Sequence, residues 1–356
     1  MKDKQTPSSG SGRQLTIGAL NIWPPLFLAP MAGLTHSALR TTILSFGGVG
    51  LLSTEMLAAQ CLPKENATIS PYLIRTEQEH PLSYQLLLSQ PGVLKPAIAA
   101  LEKLSANAVD INLGCPAPRV RKAGGGSQLA ANQQLVKAII KEARKETTLP
   151  LTAKIRLGKQ LNADALREFC LMLEGEGVDL LTVHARLDSE SFCRKPRWGA
   201  IADIKKRLAI PVVANGGIDC VEAAKRCLEE SGADGLMIGR AAAAKPWIFS
   251  EVAKEVYGYE FQLTQMTSLP RVYHDFCQAL QERFRVERRL GRLKEFTHYF
   301  ATNYAFGHHL ASRVQSSASM GEALGRAADF FSRSDAEAFT VLQKECGDTF
   351  IFSPAD

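Results

Sequence analysis

Eight short apolar runs that alternate with helix-like stretches limit the possible folds of this 356-residue chain more than any other feature. Each run is apolar throughout, as expected for parallel strands that are buried on both faces. Eight strands with interleaved helices predict an α/β fold, a (β/α)8 TIM barrel, with a doubly wound parallel sheet as the main alternative. The predicted strands are Leu26–Ala29, Gly50–Ser53, Leu82–Leu87, Ala108–Asn112, Leu151–Ile155, Leu180–Val183, Val212–Ala214 and Gly235–Ile238. The predicted helices include Lys95–Leu104, Asn132–Arg144, Asp164–Glu176 and Val221–Glu229.

Polar or glycine-rich residues follow all eight runs, and their distribution favours the barrel. In a barrel the carboxyl ends of all strands meet on one face, where active sites are built. An open sheet would spread the same residues along its edge and bring only a few of them together. The residues concerned are Pro30–Gly33, Glu55, Gln85, Asn112 with Cys115, Lys154 with Arg156, His184 with Arg186, Asn215–Gly217 and Gly239 with Arg240.

The sequence pattern changes after Pro246. The following region lacks strand signals and carries apolar residues at helical spacing, such as Phe276, Leu280 and Phe284. We therefore predict that a small helical domain follows the barrel. The predicted division is a disordered tail over 1–13, a barrel over 14–256, a linker over 257–267, a helical domain over 268–345 and a tail over 346–356.

Composition restricts the class of protein. The formal net charge of +6 is a modest basic excess that allows an anionic partner. The eight cysteines form no CxxC pair and no Cys/His grouping at zinc spacing, which predicts a reduced cytoplasmic protein without a metal site. No apolar run approaches the ~18–20 residues that a membrane span needs. A monomer that does not enter membranes is favoured.

The segment Asp110–Pro116 places a cysteine at the exit of a predicted strand. Gly114 allows the backbone to turn tightly, and Pro116 fixes φ and removes a backbone donor. Cys115 is therefore expected on a short, stiff loop, where a thiol can take part in chemistry. The alternative is that Cys115 is a small buried apolar residue, as most free cysteines are.

Lys154 ends the fifth predicted strand and has two common uses in a barrel mouth. With a lowered pKa it can form a Schiff base with a carbonyl substrate. As a cation it can bind the electron-rich edge of a cofactor, and a charged partner such as Glu55 would favour this use. Gln85 and His184 are placed to contact polar edges of the same ligand.

Two glycine-bearing turns follow the seventh and eighth predicted strands. They contain Asn215, Gly216 and Gly217 in the first turn, and Gly239 and Arg240 in the second. In barrels these loops, together with a nearby helix N-terminus, commonly bind a phosphate group. Arg240 could add a charged fork. Ordinary turns that enter helices are the alternative.

Basic residues cluster in three places. Arg119 follows Cys115 closely, and Arg186 lies in the loop after the sixth strand. A third cluster has i, i+3, i+4, i+7 spacing, which predicts four arginines on one helix face. Its members are Arg285, Arg288, Arg289 and Arg292. These clusters favour contact with the backbone of a nucleic acid, with a solvated surface as the alternative.

Taken in order, these motifs resemble the tRNA-dihydrouridine synthases, flavoenzymes that reduce uridines in RNA. The resemblance covers about residues 22–250 and extends more weakly into the helical region. The matching segments are Ala29–Gly33, Thr54–Met56, Asp110–Pro116, Ala153–Gly158, Val183–Arg186, Ala214–Gly217 and Ile238–Ala242.

The resemblance implies an FMN-bearing barrel, reduction by NADPH or NADH, and a helical domain that binds RNA, with tRNA as the expected RNA. Cys115 matches the family's catalytic cysteine. The implied cofactor-binding residues are Pro30, Met31, Ala32, Gln85, Lys154, His184, Asn215, Gly216, Gly217, Gly239 and Arg240. The implied substrate-binding residues are Asn112, Glu55, Arg119, Arg186, Arg285, Arg288, Arg289 and Arg292.

The implied chemistry agrees with the residue types. Reduced flavin would deliver hydride to C6 of uracil, and a thiol, mostly protonated at neutral pH, would supply the proton to C5. The target base would have to leave its stack to reach the flavin.

Three segments depart from the family pattern, namely His36, the glycine-rich stretch Gly124–Ala130 and the loop Ser191–Arg197. These departures concern the substrate side more than the flavin side. The same chemistry on rRNA, a Schiff-base aldolase and a non-catalytic RNA-binding protein remain alternatives.

Overall fold

A computed structural model describes residues 14–259 and 268–334. The described residues form a hairpin, an eight-stranded parallel barrel and a C-terminal helical region. The strands are β1 (Leu15–Ile17), β2 (Leu20–Ile22), β3 (Leu26–Leu28), β4 (Leu52–Ala58), β5 (Leu82–Leu87), β6 (Ala108–Leu113), β7 (Leu151–Arg156), β8 (Leu180–His184), β9 (Val212–Asn215) and β10 (Gly235–Ile238). The helices are α1 (Ser37–Leu44), α2 (Leu94–Lys103), α3 (Pro118–Lys122), α4 (Ser127–Ala130), α5 (Gln133–Glu146), α6 (Ala163–Gly175), α7 (Gly199–Lys205), α8 (Val221–Ser231), α9 (Arg240–Ala244), α10 (Ile248–Tyr257), α11 (Leu269–Arg283), α12 (Val286–Phe300), α13 (Gly307–Gln315) and α14 (Met320–Arg333).

The order of strands around the sheet confirms the barrel and excludes the doubly wound alternative. The order is β3-β10-β9-β8-β7-β6-β5-β4, and all neighbours are parallel. The first and last strands meet through Leu28 N–H, which donates to the carbonyl oxygen of Leu51 at 2.9 Å. A parallel bridge between Phe27 and Leu51 lies at the same place. The sheet therefore closes on itself, and all strand ends that carry polar residues face one opening.

Strand β4, which corresponds to the second predicted strand, differs from its prediction. It was expected to end at Ser53, whereas β4 begins at Leu52, has a register shift between Ser53 and Met56, and continues to Ala58. The polar residues that suggested a strand end are buried and have partners. Thr54 Oγ1 accepts a hydrogen bond from Gln85 N–H at 3.2 Å, and Glu55 is bonded to another loop. Glu55 therefore lies within a strand.

Helix starts follow local capping chemistry. Asn132 precedes α5 and its side chain accepts from Leu135 N–H at 3.1 Å, while Asn162 caps α6 by accepting from Ala165 N–H at 3.0 Å. Such side-chain acceptors satisfy backbone donors that the first turn of a helix leaves unpaired.

The hairpin of β1 and β2 covers the end of the barrel opposite to the polar strand ends. Leu15, Ile17 and Ile22 pack with Phe27 and Val213 in one buried apolar cluster. This end of the barrel is therefore filled by apolar side chains, and the other end is available for a site.

The helical region packs directly on the barrel. The Arg283 side chain, at the end of α11, donates to Ser37 O at 3.1 Å and to Thr41 Oγ1 at 2.7 Å in α1. Asn303 Nδ2 donates to Ala244 O at 2.7 Å. The region has its own aromatic core, in which the rings of Phe276 and Phe296 stack at 3.8 Å. These contacts hold α12 beside the open end of the barrel.

The described helices end at Arg333, so the part of the predicted helical domain beyond 334 lies outside the described residues. The same holds for both predicted tails and for most of the predicted linker, residues 260–267. Between residues 14 and 259 and between 268 and 334, every helix is too short or too polar to cross a membrane.

Candidate active site at the barrel mouth

A cleft of about 1380 Å³ lies between the carboxyl ends of the barrel strands and the helical region. All eleven residues that were predicted to bind the cofactor line it, as do Cys115, Asn112 and Arg186. Residues from the helical region, such as Tyr299, complete the wall. The barrel thus brings together predicted residues from seven of the eight strand ends, and the exception is Glu55.

Cys115 lies on this cleft, half-buried, directly after β6. Its backbone N–H donates to Asn112 Oδ1 at 3.0 Å, and its carbonyl oxygen accepts from Ser127 N–H at 3.0 Å. Gly126 touches the same segment so closely that an added Cβ would lie 2.4 Å from the Cys115 carbonyl oxygen. The thiol is therefore held on a braced loop, and the alternative of a buried apolar residue is wrong.

A buried hydrogen-bond chain orients the amides beside Cys115. Asn112 Nδ2 donates to Gln85 Oε1 at 2.7 Å, and Gln85 Nε2 donates to Asp110 at 2.6 Å. Asp110 also accepts from Thr152 Oγ1 at 2.6 Å. Burial raises the pKa of Asp110, and these two donors oppose that rise. Asp110 was not predicted as a site residue, because a single acidic residue in an apolar strand has no recognisable spacing.

Lys154 connects two strands across the mouth. Its Nζ donates to Asn215 Oδ1 at 2.8 Å, and Asn215 Nδ2 donates to Met237 O at 2.7 Å. Burial lowers the pKa of Lys154 from 10.5 to about 8, and the negative charge of Asp110 opposes this change. The carboxylate whose charge acts on Lys154 is therefore Asp110, whereas Glu55, suggested as such a partner, is bonded to Gly33.

A cluster of cationic side chains surrounds a glycine turn after β9. Arg186 Nη1 lies 3.1 Å from His184 Nε2, and Arg240 lines the same part of the cleft. Burial, followed by the charge of Lys154, lowers the pKa of His184 well below its usual value, so its imidazole is neutral near pH 7. Burial and then Arg240 lower the pKa of Arg186 to about 10. Cations held this close together form a site for an anion.

The turn at Gly216 packs directly against this cluster. Gly216 has a φ of +109°, and an added Cβ would lie 2.7 Å from Cδ2 of His184. Its carbonyl oxygen accepts from Trp198 Nε1 at 2.9 Å, which fixes the turn. A side chain at this position would push against the ring of His184, so glycine is required here.

Phe192 is a cleft residue that the sequence analysis did not single out. Its ring stacks on His184 at 6.0 Å, and the guanidinium of Arg240 lies 4.0 Å from the ring centroid. Arg186 holds the loop by donating to the carbonyl oxygens of Phe192 at 3.0 Å and Arg194 at 2.8 Å. An aromatic residue within a basic loop is the sequence feature that could have identified Phe192. Arg186, predicted to contact substrate, thus braces this loop beside the cationic cluster.

The other basic residues that were predicted to contact substrate lie outside the cleft lining. Arg119 is exposed on α3. In the arginine cluster, Arg285 and Arg288 are exposed, whereas Arg289 donates to Phe284 O and Arg292 is half-buried. Their prediction as one helix face is wrong in two respects. Arg285 has extended backbone angles and precedes α12, and Arg292 turns inward, with its guanidinium 4.7 Å from the Phe284 ring centroid.

Glu55 and His36 are buried beneath α12. Glu55 is 4% exposed and accepts a hydrogen bond from Gly33 N–H at 2.6 Å, but it does not line the cleft. His36 packs its ring against Phe284 at 5.3 Å, and both its ring nitrogens are buried without a partner. The departure at His36 therefore concerns the contact between the barrel and the helical region.

The described part of the chain contains no cluster of three or more histidine, cysteine or acidic side chains able to hold a metal ion. Seven cysteines within it are free, three of them buried, namely Cys170, Cys227 and Cys277. The chemical groups gathered at the mouth include the Cys115 thiol, the Lys154 amine, the cationic cluster and the amides of Gln85, Asn112 and Asn215.

Comparison with known proteins is consistent with this geometry. A family model described as dihydrouridine synthase (Dus) matches residues 27–338. A probable tRNA-dihydrouridine synthase 1 from Synechocystis sp. is 34% identical over 240 residues, which cover 67% of each chain. The tRNA-dihydrouridine synthase B of Pseudomonas syringae pv. tomato is 34% identical over 265 residues, which cover 74% of this chain and 78% of that protein.

Among solved structures, a 2-naphthoyl-CoA reductase in complex with 2-naphthoyl-CoA superposes with a TM-score of 0.53 at 12% identity. The match covers 68% of this chain and 52% of that one, so it spans about half the length of the reductase. At this identity the likeness concerns the barrel fold alone.

Proposed function

Because this chain belongs to the dihydrouridine synthase family, we propose that it reduces uridine in tRNA to 5,6-dihydrouridine, with FMN as cofactor and NADPH as reductant. The observation that carries the proposal is that Cys115, Lys154 and the cationic cluster all line one cleft at the barrel mouth. This brings a proton donor, a contact for an electron-rich ring and a phosphate site within reach of one ligand and one base.

The residues present fit FMN. The glycine turn at Gly216 lies against His184 and Arg186, and Arg240 lines the same cleft. Charge-assisted hydrogen bonds from the two guanidinium groups suit a phosphate. Lys154 and Gln85 would contact polar edges of the isoalloxazine ring. Pro30, Met31, Ala32, Asn215, Gly217 and Gly239 complete the proposed cofactor site.

Held by these residues in its reduced form, FMN would supply hydride to C6 of the uracil ring. Cys115 then donates its proton to C5, so that the C5–C6 double bond becomes a single bond and the thiolate remains for reprotonation. Asn112 orients the Cys115 loop through its Oδ1 and lies beside the position of the base. Closure of the barrel by the hairpin at its other end leaves the mouth as the route by which the base enters.

RNA would be held outside the cleft by phosphate contacts. The exposed Arg119, Arg285 and Arg288, with Arg289 beside them, are the proposed contacts, because such contacts position a folded RNA without reading its sequence. The target uridine would be extruded into the mouth. We expect the protein to act as a cytoplasmic monomer.

The proposal is tested by mass mapping of uridines that carry two additional hydrogen atoms in tRNA and rRNA, from cells with and without this gene. Loss of the modification from tRNA is expected, and restoration should require the parent chain. The Cys115→Ala variant should fail to restore it, whereas Cys61→Ala, which removes an exposed thiol outside the cleft lining, should succeed. Loss from rRNA instead of tRNA would reassign the substrate.

The visible spectrum of the purified protein separates the flavin enzyme from an aldolase. A yellow protein whose absorbance bleaches with NADPH is expected. A colourless protein in which Lys154 is trapped by borohydride with a carbonyl compound would instead point to Schiff-base chemistry.

A further inference from the structure

We propose that Glu55 is a positioning residue that couples RNA contact by α12 to the cofactor-contacting turn Met31–Gly33. This inference rests on the function proposed above and assigns Glu55 a role different from direct contact with the substrate. Glu55 lies beneath α12 and outside the cleft lining, so any effect on the reaction must pass through its neighbours.

The first link joins Glu55 to the turn. Its Oε2 accepts from Gly33 N–H at 2.6 Å, while Oε1 is buried without a partner. The turn is also closed locally, because Met31 N–H donates to Thr35 Oγ1 at 2.9 Å. Met31 and its neighbour Ala32 line the cleft. A change at Glu55 therefore acts directly on the backbone that carries two proposed cofactor contacts.

The second link joins α12 to the same turn. An added Cβ on Gly33 would lie 3.9 Å from Cγ of Glu295, so α12 passes directly over the turn. Arg292 lies three residues earlier and thus on the same helix face. Its guanidinium rests on the ring of Phe284, and that ring contacts His36. Arg292 thus lies on the helix face that covers Gly33, the hydrogen-bond partner of Glu55.

The charges in this contact depend on each other. Burial raises the pKa of Glu55, and the Gly33 donor and then Arg292 oppose the rise. Burial lowers the pKa of Arg292, and Glu55 is the first of the charges that oppose this. His36 has a lowered pKa and is neutral. Buried charges are tolerated when they are paired. Because Arg292 Nε and Glu55 Oε1 both lack hydrogen-bond partners, a small shift of α12 would change their interaction.

Arg288 and Arg289, proposed RNA contacts, lie on the same helix as Arg292. A helix of 15 residues moves as a unit, so RNA that engages Arg288 also displaces or fixes Arg292. Fixing Arg292 against Glu55 holds the Met31–Gly33 turn in place before FMN binds. A ligand that orders a site for a second ligand increases the affinity for that ligand, and the effect is reciprocal.

The test measures FMN affinity with and without saturating unmodified tRNA. For the parent, tRNA is expected to tighten FMN binding about fivefold or more. Glu55→Gln keeps an acceptor for Gly33 N–H but removes the charge, so it should bind FMN normally alone and lose the effect of tRNA. Arg292→Gln should also lose the effect when tRNA is saturating. Glu102→Gln, an exposed carboxylate on α2, should behave as the parent.

Absence of any effect of tRNA on the parent, or an undiminished effect in the Glu55→Gln and Arg292→Gln variants, overturns the coupling. Thermal unfolding of each variant identifies any loss of folding. Arg292→Gln changes a half-buried position, so it tests the interaction between Glu55 and Arg292 without altering the buried carboxylate. Uridine reduction is assayed separately. Reduction by the parent without coupling contradicts this inference alone, whereas coupling without reduction contradicts the proposed function alone.

Discussion

Lys154 Nζ lies 2.8 Å from Asn215 Oδ1, a hydrogen bond that joins the ends of β7 and β9 over the intervening β8. Asn215 is in turn held by its bond to Met237 O in β10. The amine is thus fixed at the centre of the mouth, where its charge faces the cleft.

The protonation state of the Lys154 amine should control cofactor binding. Its pKa of about 8 means that Lys154 is cationic below that pH and neutral above it. An electron-rich flavin edge favours the cation, so FMN affinity should fall as pH rises through about 8. Lys154→Met should bind FMN about tenfold more weakly and lose the pH dependence. Fluorescence titration measures both, with Lys141→Met, an exposed lysine on α5, as the control. An unchanged pH profile in Lys154→Met would contradict this role.

Gly126 should be essential for the position of the thiol. In Gly126→Ala the new Cβ would meet the Cys115 carbonyl oxygen at 2.4 Å, and the residue has a φ of +58°. The Cys115 loop must therefore shift, and a misplacement of ~1 Å can lower a rate about 100-fold. We expect slow uridine reduction with normal FMN binding. Gly175→Ala, where nothing lies within 4 Å, is the matched control and should keep full activity. Equal rates for both variants would show that the loop tolerates the shift.

Asn112 should act through the same loop. Asn112→Ala removes the acceptor for the backbone N–H groups of Gly114 and Cys115 and the donor to Gln85. We expect a rate of uridine reduction lowered by about 10-fold or more, because the loop loses its brace. Asn162→Ala removes a helix cap remote from the cleft, so it should lower stability by ~1 kcal/mol without changing the rate. Rates are compared in single-turnover reduction with saturating tRNA. A normal rate of uridine reduction in Asn112→Ala would contradict the proposed role of Asn112 in bracing the Cys115 loop.

The cationic cluster should recognise the phosphate of the cofactor. FMN and riboflavin differ only in this group. Arg240→Gln should weaken FMN binding about tenfold, since a hydrogen bond to a charged group is worth ~1.5–3 kcal/mol, and should leave riboflavin binding unchanged. Arg207→Gln changes an exposed arginine far from the cleft lining and should affect neither ligand. An equal loss of affinity for FMN and riboflavin would show that Arg240 contacts a part of the cofactor other than the phosphate.

Local sequence patterns predicted the bounds of some strands and not of others. Strand β10 has its predicted bounds because it is an apolar run that Gly239 ends, and β5 has its predicted bounds although it contains the polar residues Ser83 and Gln85. The prediction for β4 was wrong because Thr54 and Glu55 are polar but have buried partners in other strands and loops. Single-residue polarity therefore marks a strand end only where no partner exists inside the fold.

The arginine cluster shows a second limit. Helical spacing predicted one face for four residues, yet Arg285 precedes the helix and Arg292 packs on Phe284. The spacing describes a regular helix, whereas the start of α12 and the direction of its neighbours depend on packing against the barrel. The roles of Asp110 and Phe192 were missed for the same reason, since their partners lie far apart in sequence.

By itself, the sequence determined that eight buried strands alternate with helices and that their ends carry the thiol, the amine and the two glycine turns. That was sufficient because backbone periodicity and residue chemistry are local properties. Only the tertiary structure decided which groups meet: Lys154 with Asn215, and Glu55 with Gly33 beneath α12. The physical reason is that hydrogen bonds and the electrostatic cost of burial depend on distances in space, which closure of the barrel sets between distant residues.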